Sequence, residues 1–350
     1  MGLVIRKAGA DWINFLNIGL MLVSCLVALF IPVELFLFAY AILGPAHYLT
    51  EISWLEKRQF FTKGKHDFWL LGAFGLLVSF SLPWSSSSLK ATCTLLALGS
   101  ALVLMLTNSI TARILGMIPV IALAFALADT TGFITVLLAL FVPTLIHVYL
   151  FTGFFMLYGA LKERSRSGYL AFCIFLLCPL ACWLIEPGRY TPRSHALSSY
   201  WNHFSVLNLA ILGVDLPRTI PEGREALRQV FSSHTGLIVM RFIAFAYTYH
   251  YLNWFSKTSI IRWHEIGRKR LAIIGMLWLS SIGLYFYDFA LAVKFLAYLS
   301  ITHVYLEFPL NHLSIIGIFR EVRSRIGAAP DPLPAGAARA AVAARRRVVR

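Results

Sequence analysis

Charged residues are scarce in this chain. Asp, Glu, Lys and Arg together make up 13% of its 350 residues, whereas 59% are hydrophobic, and the mean hydropathy is +0.73. This composition excludes an ordinary soluble domain, in which about a quarter of the residues are charged. It also argues against nucleic acid as a partner, because the basic residues lie in short clusters between apolar runs and form no polar basic domain.

Cysteine is also sparse, and its placement excludes a disulfide-stabilised fold. All five cysteines lie within apolar runs, where small buried hydrophobic side chains are the expected role. They are Cys25, Cys93, Cys173, Cys178 and Cys182.

Long apolar runs dominate the rest of the sequence. Each is about 17–25 residues long, which is the length needed to cross about 30 Å of hydrocarbon. We predict an all-α, polytopic transmembrane helical bundle of about ten spans, with the closely spaced fifth and sixth runs as a possible re-entrant pair. The predicted spans are 12–30, 33–55, 68–84, 91–107, 114–128, 131–160, 168–186, 236–256, 271–287 and 289–308.

The basic clusters predict the orientation of these spans. With ten spans, the clusters all fall on one side, so both termini are expected in the cytoplasm. Residues 187–235 then form an outer loop, rich in proline and containing an apolar stretch, which predicts an interfacial loop or helix region. We expect residues 1–327 to form the membrane domain and residues 328–350 a flexible basic cytoplasmic tail that contacts anionic lipid.

Four of the spans carry a histidine followed by tyrosine and leucine, either at once or after a valine. The histidines are His47, His147, His250 and His303. An imidazole within hydrocarbon is costly unless it finds a hydrogen-bond partner or a metal. All four spans run in the same direction, and each histidine lies 15 to 18 residues from the outer end of its span. The four depths therefore agree within roughly 5 Å, which predicts a shared metal site, although a hydrogen bond between helices would explain any single histidine.

Two of these histidines have an acidic residue four positions later. His47 is followed by Glu51 and His303 by Glu307, and this spacing places both side chains on one helical face. Each carboxylate can serve as a further ligand or accept the second N–H of the imidazole. We favour the latter role, because four imidazoles already supply a complete protein donor set.

The donor set limits the metal. Four imidazoles suit iron, copper or zinc, and the lack of nearby cysteine argues against a structural zinc site. Aromatic residues around the motifs predict an apolar slot for a long, flat lipid. The predicted pocket residues are Tyr48, Tyr149, Tyr249, Tyr251, Trp254 and Tyr305.

Three segments carry a resemblance to a known family: Gly44-Pro-Ala-His-Tyr-Leu-Thr-Glu51, Tyr249-His-Tyr-Leu-Asn253 and Thr302-His-Val-Tyr-Leu-Glu307. They resemble the bacterial Brp/Blh family of membrane-embedded carotene 15,15'-dioxygenases. The resemblance implies non-haem Fe(II) bound by the four histidines, O2 as co-substrate, and cleavage of a carotenoid such as β-carotene to retinal in the bacterial inner membrane. One helix of that family carries two histidines one turn apart, whereas Glu51 and Glu307 occupy the equivalent offset here.

Three other functions are compatible with the sequence. A lipid desaturase or hydroxylase would retain the metal, although its usual HxxxH and HxxHH clusters do not occur here. Paired histidines could instead bind haem. A transporter or proton-coupled carrier could use His47, Glu51, His303 and Glu307 as a proton relay; for the last case Arg241 and Lys294 are candidate anion ligands, although we favour snorkelling to the interface.

Overall fold

The computed structural model describes residues 2–81, 87–128, 132–188, 190–258, 262 and 265–326, and the predicted tail from residue 328 lies outside this part of the chain. The described residues form helices and contain no strand. The helices are α1 (Gly2–Phe30), α2 (Pro32–Lys57), α3 (Phe68–Ser81), α4 (Ser87–Leu106), α5 (Ile110–Ala128), α6 (Phe133–Glu163), α7 (Arg166–Leu184), α8 (Ser194–Leu212), α9 (Ile220–Phe231), α10 (His234–Ser256), α11 (Arg268–Tyr287) and α12 (Phe289–Arg325).

The helices group into two compact units, Met1–Trp54 with Leu140–Ser300 and Leu55–Ala139 with Ile301–Arg350. In the first unit α10 is the central helix, because it packs against α1, α2, α7, α8 and α9. Most of its side chains are buried on every side, including Arg241. A helix that is apolar all round belongs in such a central position.

The second unit contains α3, α4 and α5, and α4 packs against both of its neighbours. Gly75 of α3 allows a close approach to the segment that precedes His303. A Cβ atom at Gly75 would lie 2.9 Å from the Cα of Thr302, which is closer than side chains normally pack.

Two of the histidine-bearing helices contain π-helical segments. Ala39–Leu43 forms one within α2, just before His47, and Leu137–Phe151 forms a longer one in α6 that includes His147. Pro143 lies inside the second segment and cannot donate a backbone hydrogen bond. π-Helical turns are rare and are frequently found at functional sites, because they change the direction in which the following side chains point.

Eight of the helices are long and apolar enough to cross a membrane. A ninth candidate is the pair Ile220–Phe231 and His234–Ser256, which is bent by 67° at its break. The described part of α3 has 14 residues, and residues 82–84 of the predicted third span lie outside the described residues. The described residues are therefore all helical or loop, and their long apolar helices are candidate membrane spans. Each of the ten predicted spans overlaps a helix of the described residues, and ten full crossings remain a prediction.

The predicted outer region contains two helices, α8 and α9, which pack against α10 in the first unit. Tyr200 of α8 is fully buried, and its hydroxyl donates a 2.6 Å hydrogen bond to Asn208. The ring of Phe204 lies 4.7 Å from that of Tyr40 on α2. Much of the region is therefore folded onto the helices that carry His47 and His250, while its position at a membrane surface stays a prediction.

Candidate metal centre

The four motif histidines converge in the structure. Each offers one ring nitrogen, and these four nitrogens all lie within 4.8 Å of one another. The side chains are almost completely buried, with exposed fractions of 1% for His47, 2% for His147, 7% for His250 and 2% for His303. Among the described residues, this is the one group of histidine, cysteine, aspartate and glutamate side chains that could surround an ion.

The shortest described distance between two of these histidines joins α2 and α10. His47 Nε2 lies 3.1 Å from His250 Nε2, and the ring of His147 lies 4.8 Å from that of His250. With metal–nitrogen bonds of about 2.1 Å, two nitrogens bound at right angles are about 3.0 Å apart and two bound on opposite sides are about 4.2 Å apart. The nitrogen–nitrogen distance between His47 and His250 is thus close to that of two neighbouring ligands of one ion.

Glu51 approaches the same nitrogen of His47. Its Oε2 lies 3.0 Å from His47 Nε2, and both side chains are buried. The carboxylate therefore lies on the side of the ring that faces His250. An oxygen that accepts the second N–H of a metal-binding imidazole would instead lie at Nδ1. This position suits a further oxygen ligand or a charge that offsets a bound cation.

Thr152 is a site residue that the sequence analysis missed. Its Oγ1 lies 2.8 Å from His250 Nδ1, on the opposite side of the ring from the nitrogen that faces His47. Both residues are buried. Thr152 begins the α-helical turn that follows the π-helical segment containing His147, but a single threonine in an apolar span gives no signal of its own in the sequence.

Three of the predicted pocket residues surround His47. The rings of Tyr251 and Trp254 lie 5.2 and 5.5 Å from its imidazole, and Tyr48 lies at 5.8 Å. The hydroxyls of Tyr48 and Tyr251 are hydrogen-bonded at 2.7 Å. The Trp254 indole N–H donates to Thr50 Oγ1 at 2.9 Å, which fixes its ring beside the histidine.

The other three predicted pocket residues make their described contacts elsewhere. Tyr149 stacks on Phe175 of α7 at 4.5 Å, and Tyr249 donates a hydrogen bond to Asn17 of α1 at 3.1 Å. Tyr305 is hydrogen-bonded to Thr94 of α4 at 2.7 Å. Their role as pocket residues stays a prediction that these contacts do not support.

Other polar residues of the spans lie outside the cluster. His312, nine residues after His303, has its Nε2 2.9 Å from the carbonyl oxygen of Leu98. Arg241 does not snorkel: it is 5% exposed and donates a 2.8 Å hydrogen bond to the carbonyl oxygen of Ile185, where α7 ends. The Arg241 guanidinium thus interacts with the negative end of the α7 helix dipole and is poorly placed to bind an anion. Lys294, in contrast, is exposed.

Glu307 is the second acidic residue of the motifs. It is 3% exposed and lies one helical turn after His303 on α12. This spacing keeps it on the same face of the helix as the histidine. Its role as ligand or hydrogen-bond acceptor stays a prediction.

An apolar cavity of about 350 Å³ lies in the second unit, and no histidine lines it. Its walls are Leu70, Phe74, Thr92, Leu96, Met117, Ile121, Ala124 and Phe125 of α3, α4 and α5.

Comparison with known proteins gives no match: no protein-family model, no curated protein and no solved structure matches this chain. The arrangement of the four histidines and their neighbours is therefore the basis for assigning a function.

Proposed function

We propose that this protein is an integral-membrane oxygenase that binds one non-haem iron ion through His47, His147, His250 and His303 and cleaves a carotenoid-like polyene. The observation that carries the proposal is the convergence of four buried imidazoles, with all four donor nitrogens within 4.8 Å of one another. The resemblance of the histidine motifs to the Brp/Blh dioxygenases supports the same assignment.

Metal binding explains the cluster better than hydrogen bonding alone. One hydrogen bond between His47 and His250 would use two nitrogens, whereas two more histidines and the Glu51 carboxylate lie at the same place. Burying this many polar groups in hydrocarbon is costly unless they share a partner that engages them together. A single cation is such a partner.

The two acidic residues supply the charge that such a site requires. Neutral imidazoles leave a divalent cation with its full charge, and an uncompensated charge is expensive at this depth. Glu51 lies 3.0 Å from His47, and Glu307 is buried on the helix that carries His303. Their two carboxylates would offset the two positive charges of Fe(II).

The number of clusters favours a mononuclear oxygenase over a desaturase or hydroxylase. Those membrane enzymes use several histidine clusters to hold two irons, whereas the described part of the chain contains one group of four. Bound Fe(II) would supply activation of O2, so that both oxygen atoms add across one double bond and two carbonyl products form. No separate nucleophile or general base is needed for this balance.

The residues around the histidines fit an apolar substrate. Trp254 and Tyr251 flank His47, and the hydrogen bond from Trp254 to Thr50 holds the indole in place. Flat aromatic walls suit a conjugated chain that enters from the bilayer. Their packing would also exclude water from the reacting bond and hold that bond near the metal.

The test is iron content and carotenoid cleavage in detergent-purified full-length protein. We expect about one iron per chain and oxygen-dependent formation of aldehydes from β-carotene. His47→Ala, His147→Ala, His250→Ala and His303→Ala should each lose iron and product. His312→Ala is the matched control, because His312 is a partly buried histidine of α12 outside the cluster, and it should retain both.

Two results would contradict the proposal. Wild-type protein that binds no iron when loaded anaerobically would exclude the metal centre. Iron-loaded protein that consumes no carotenoid and forms no aldehyde would exclude the proposed substrate class while leaving a metalloprotein.

A further inference from the structure

His250 is held between two partners on opposite sides of its ring. Its Nε2 faces His47 Nε2 at 3.1 Å, and its Nδ1 lies 2.8 Å from Thr152 Oγ1. Because one nitrogen faces the histidine cluster and the other faces a hydroxyl, the two have different tasks.

The chemistry of imidazole connects these tasks. A neutral imidazole has one N–H and one lone pair, so a nitrogen that binds a metal must leave the hydrogen on the other nitrogen. If His250 Nε2 binds the ion, Nδ1–H is the donor and Thr152 Oγ1 is the acceptor. A hydroxyl oxygen can accept this hydrogen bond, so the Thr152 contact is compatible with the tautomer that presents a lone pair to the cluster.

We propose that Thr152 is a positioning residue, which fixes the tautomer and the orientation of His250 for metal binding. This inference depends on the metal centre of the proposed function and adds a residue to it. Hydrogen bonds to the second nitrogen of a metal-binding histidine hold the ring in place and increase its basicity. Thr152 provides this bond across two helices, from α6 to α10.

Other threonines of the same helices do not have this arrangement. The hydroxyl of Thr144, two turns earlier on α6, donates to the carbonyl oxygen of Leu140 on its own helix. Thr50 on α2 likewise donates to the carbonyl oxygen of Ala46, although it also accepts from Trp254. A hydroxyl directed at an imidazole nitrogen in the cluster is thus particular to Thr152 among these three.

The experiment compares Zn(II) binding by metal-stripped, full-length protein and three variants, using chelator competition. Thr152→Val removes the hydroxyl with little change in shape and should weaken Zn(II) binding by about tenfold to a hundredfold. Thr152→Ser keeps a hydroxyl and should restore most of the affinity. Thr144→Val is the matched control and should bind as the wild type does.

A second measurement separates positioning from a general loss of structure. In Zn(II)-loaded protein with 15N-labelled histidine, NMR should show His250 with its hydrogen on Nδ1 and its Nε2 bound to zinc. Thr152→Val, saturated with Zn(II), should lose the hydrogen-bonded Nδ1–H signal or show altered His250 ligation, while Thr144→Val retains the wild-type spectrum.

The outcomes distinguish this inference from the proposed function. Wild-type protein that binds no metal would overturn both. If the wild type binds Zn(II), and Thr152→Val has the same affinity and the same His250 signal, only the role of Thr152 is overturned. Equal weakening in Thr152→Val and Thr152→Ser would also overturn it, because the hydroxyl would then not be the cause.

Discussion

Residue-level chemistry at this site depends on which atom of each imidazole faces which neighbour. His47 Nε2 has both His250 Nε2 and Glu51 Oε2 at about 3 Å, while Thr152 lies at the far nitrogen of His250. The repeated motifs were sufficient to predict the four histidines, because histidine is rare and costly in hydrocarbon. They could not predict Thr152, since threonine is tolerated in membrane helices through hydrogen bonds to its own backbone.

The position of Glu51 leads to a test of its charge. Glu51→Gln keeps the size of the side chain and removes the carboxylate beside His47, so the affinity for Fe(II) should fall by roughly tenfold or more. Glu56→Gln removes an exposed carboxylate from the same helix and serves as the control. Chelator competition with both purified variants measures the effect. Equal affinities in wild type and Glu51→Gln would show that the carboxylate contributes neither ligation nor charge.

Helix-level geometry explains why the aromatic residues were harder to place than the histidines. Tyr149 lies within the π-helical segment Leu137–Phe151, where a period of 3.6 residues no longer gives the direction of a side chain. Tyr249 precedes His250 by one residue and therefore points about 100° away from it. Because α10 is buried on all sides, that direction is also core, and Tyr249 contacts α1 there.

The close approach of α3 to the segment before His303 gives a second test. Gly75→Ala places a methyl group 2.9 Å from the Cα of Thr302, so α3 or α12 must shift, and we expect a loss of stability of about 1–3 kcal/mol. Gly72→Ala makes the same change one turn earlier, where a Cβ would meet no atom within 4 Å, and should be neutral or stabilise by up to about 1 kcal/mol.

Thermal unfolding in detergent and Zn(II) affinity are the measurements for this pair. Gly75→Ala should lower the Tm and weaken binding, because Thr302 directly precedes His303. The same Tm for both glycine variants would contradict a tight contact at Thr302.

For the whole molecule, composition and apolar run length predicted an all-helical membrane protein, and the helices of the structure agree with this class. The number of crossings was less predictable. The segment His234–Ser256 counts as a candidate span only together with Ile220–Phe231, across a bend of 67°. The outer region contains two helices that sequence hydropathy described only as an apolar stretch. Hydropathy indicates that a segment is buried, but it cannot distinguish burial in lipid from burial against other helices.

The four histidines come from helices that are distant in the sequence, so their convergence is a property of the complete fold. Depth in the membrane could be estimated by counting residues along each span, but lateral position could not. The four helices could have presented their histidines to different neighbours at equal depth. The structure instead gives donor nitrogens within 4.8 Å of one another.

X-ray absorption spectroscopy of the Zn(II)-loaded, full-length protein would identify the ligands of the bound ion. We expect about four imidazole nitrogens at about 2.0–2.1 Å from the zinc, with the outer-ring scattering that imidazole produces. Sulfur ligands at about 2.3 Å would contradict the four-histidine site, because they would show that the metal binds cysteines such as Cys25, Cys178 and Cys182. So would a spectrum with only one imidazole in the shell.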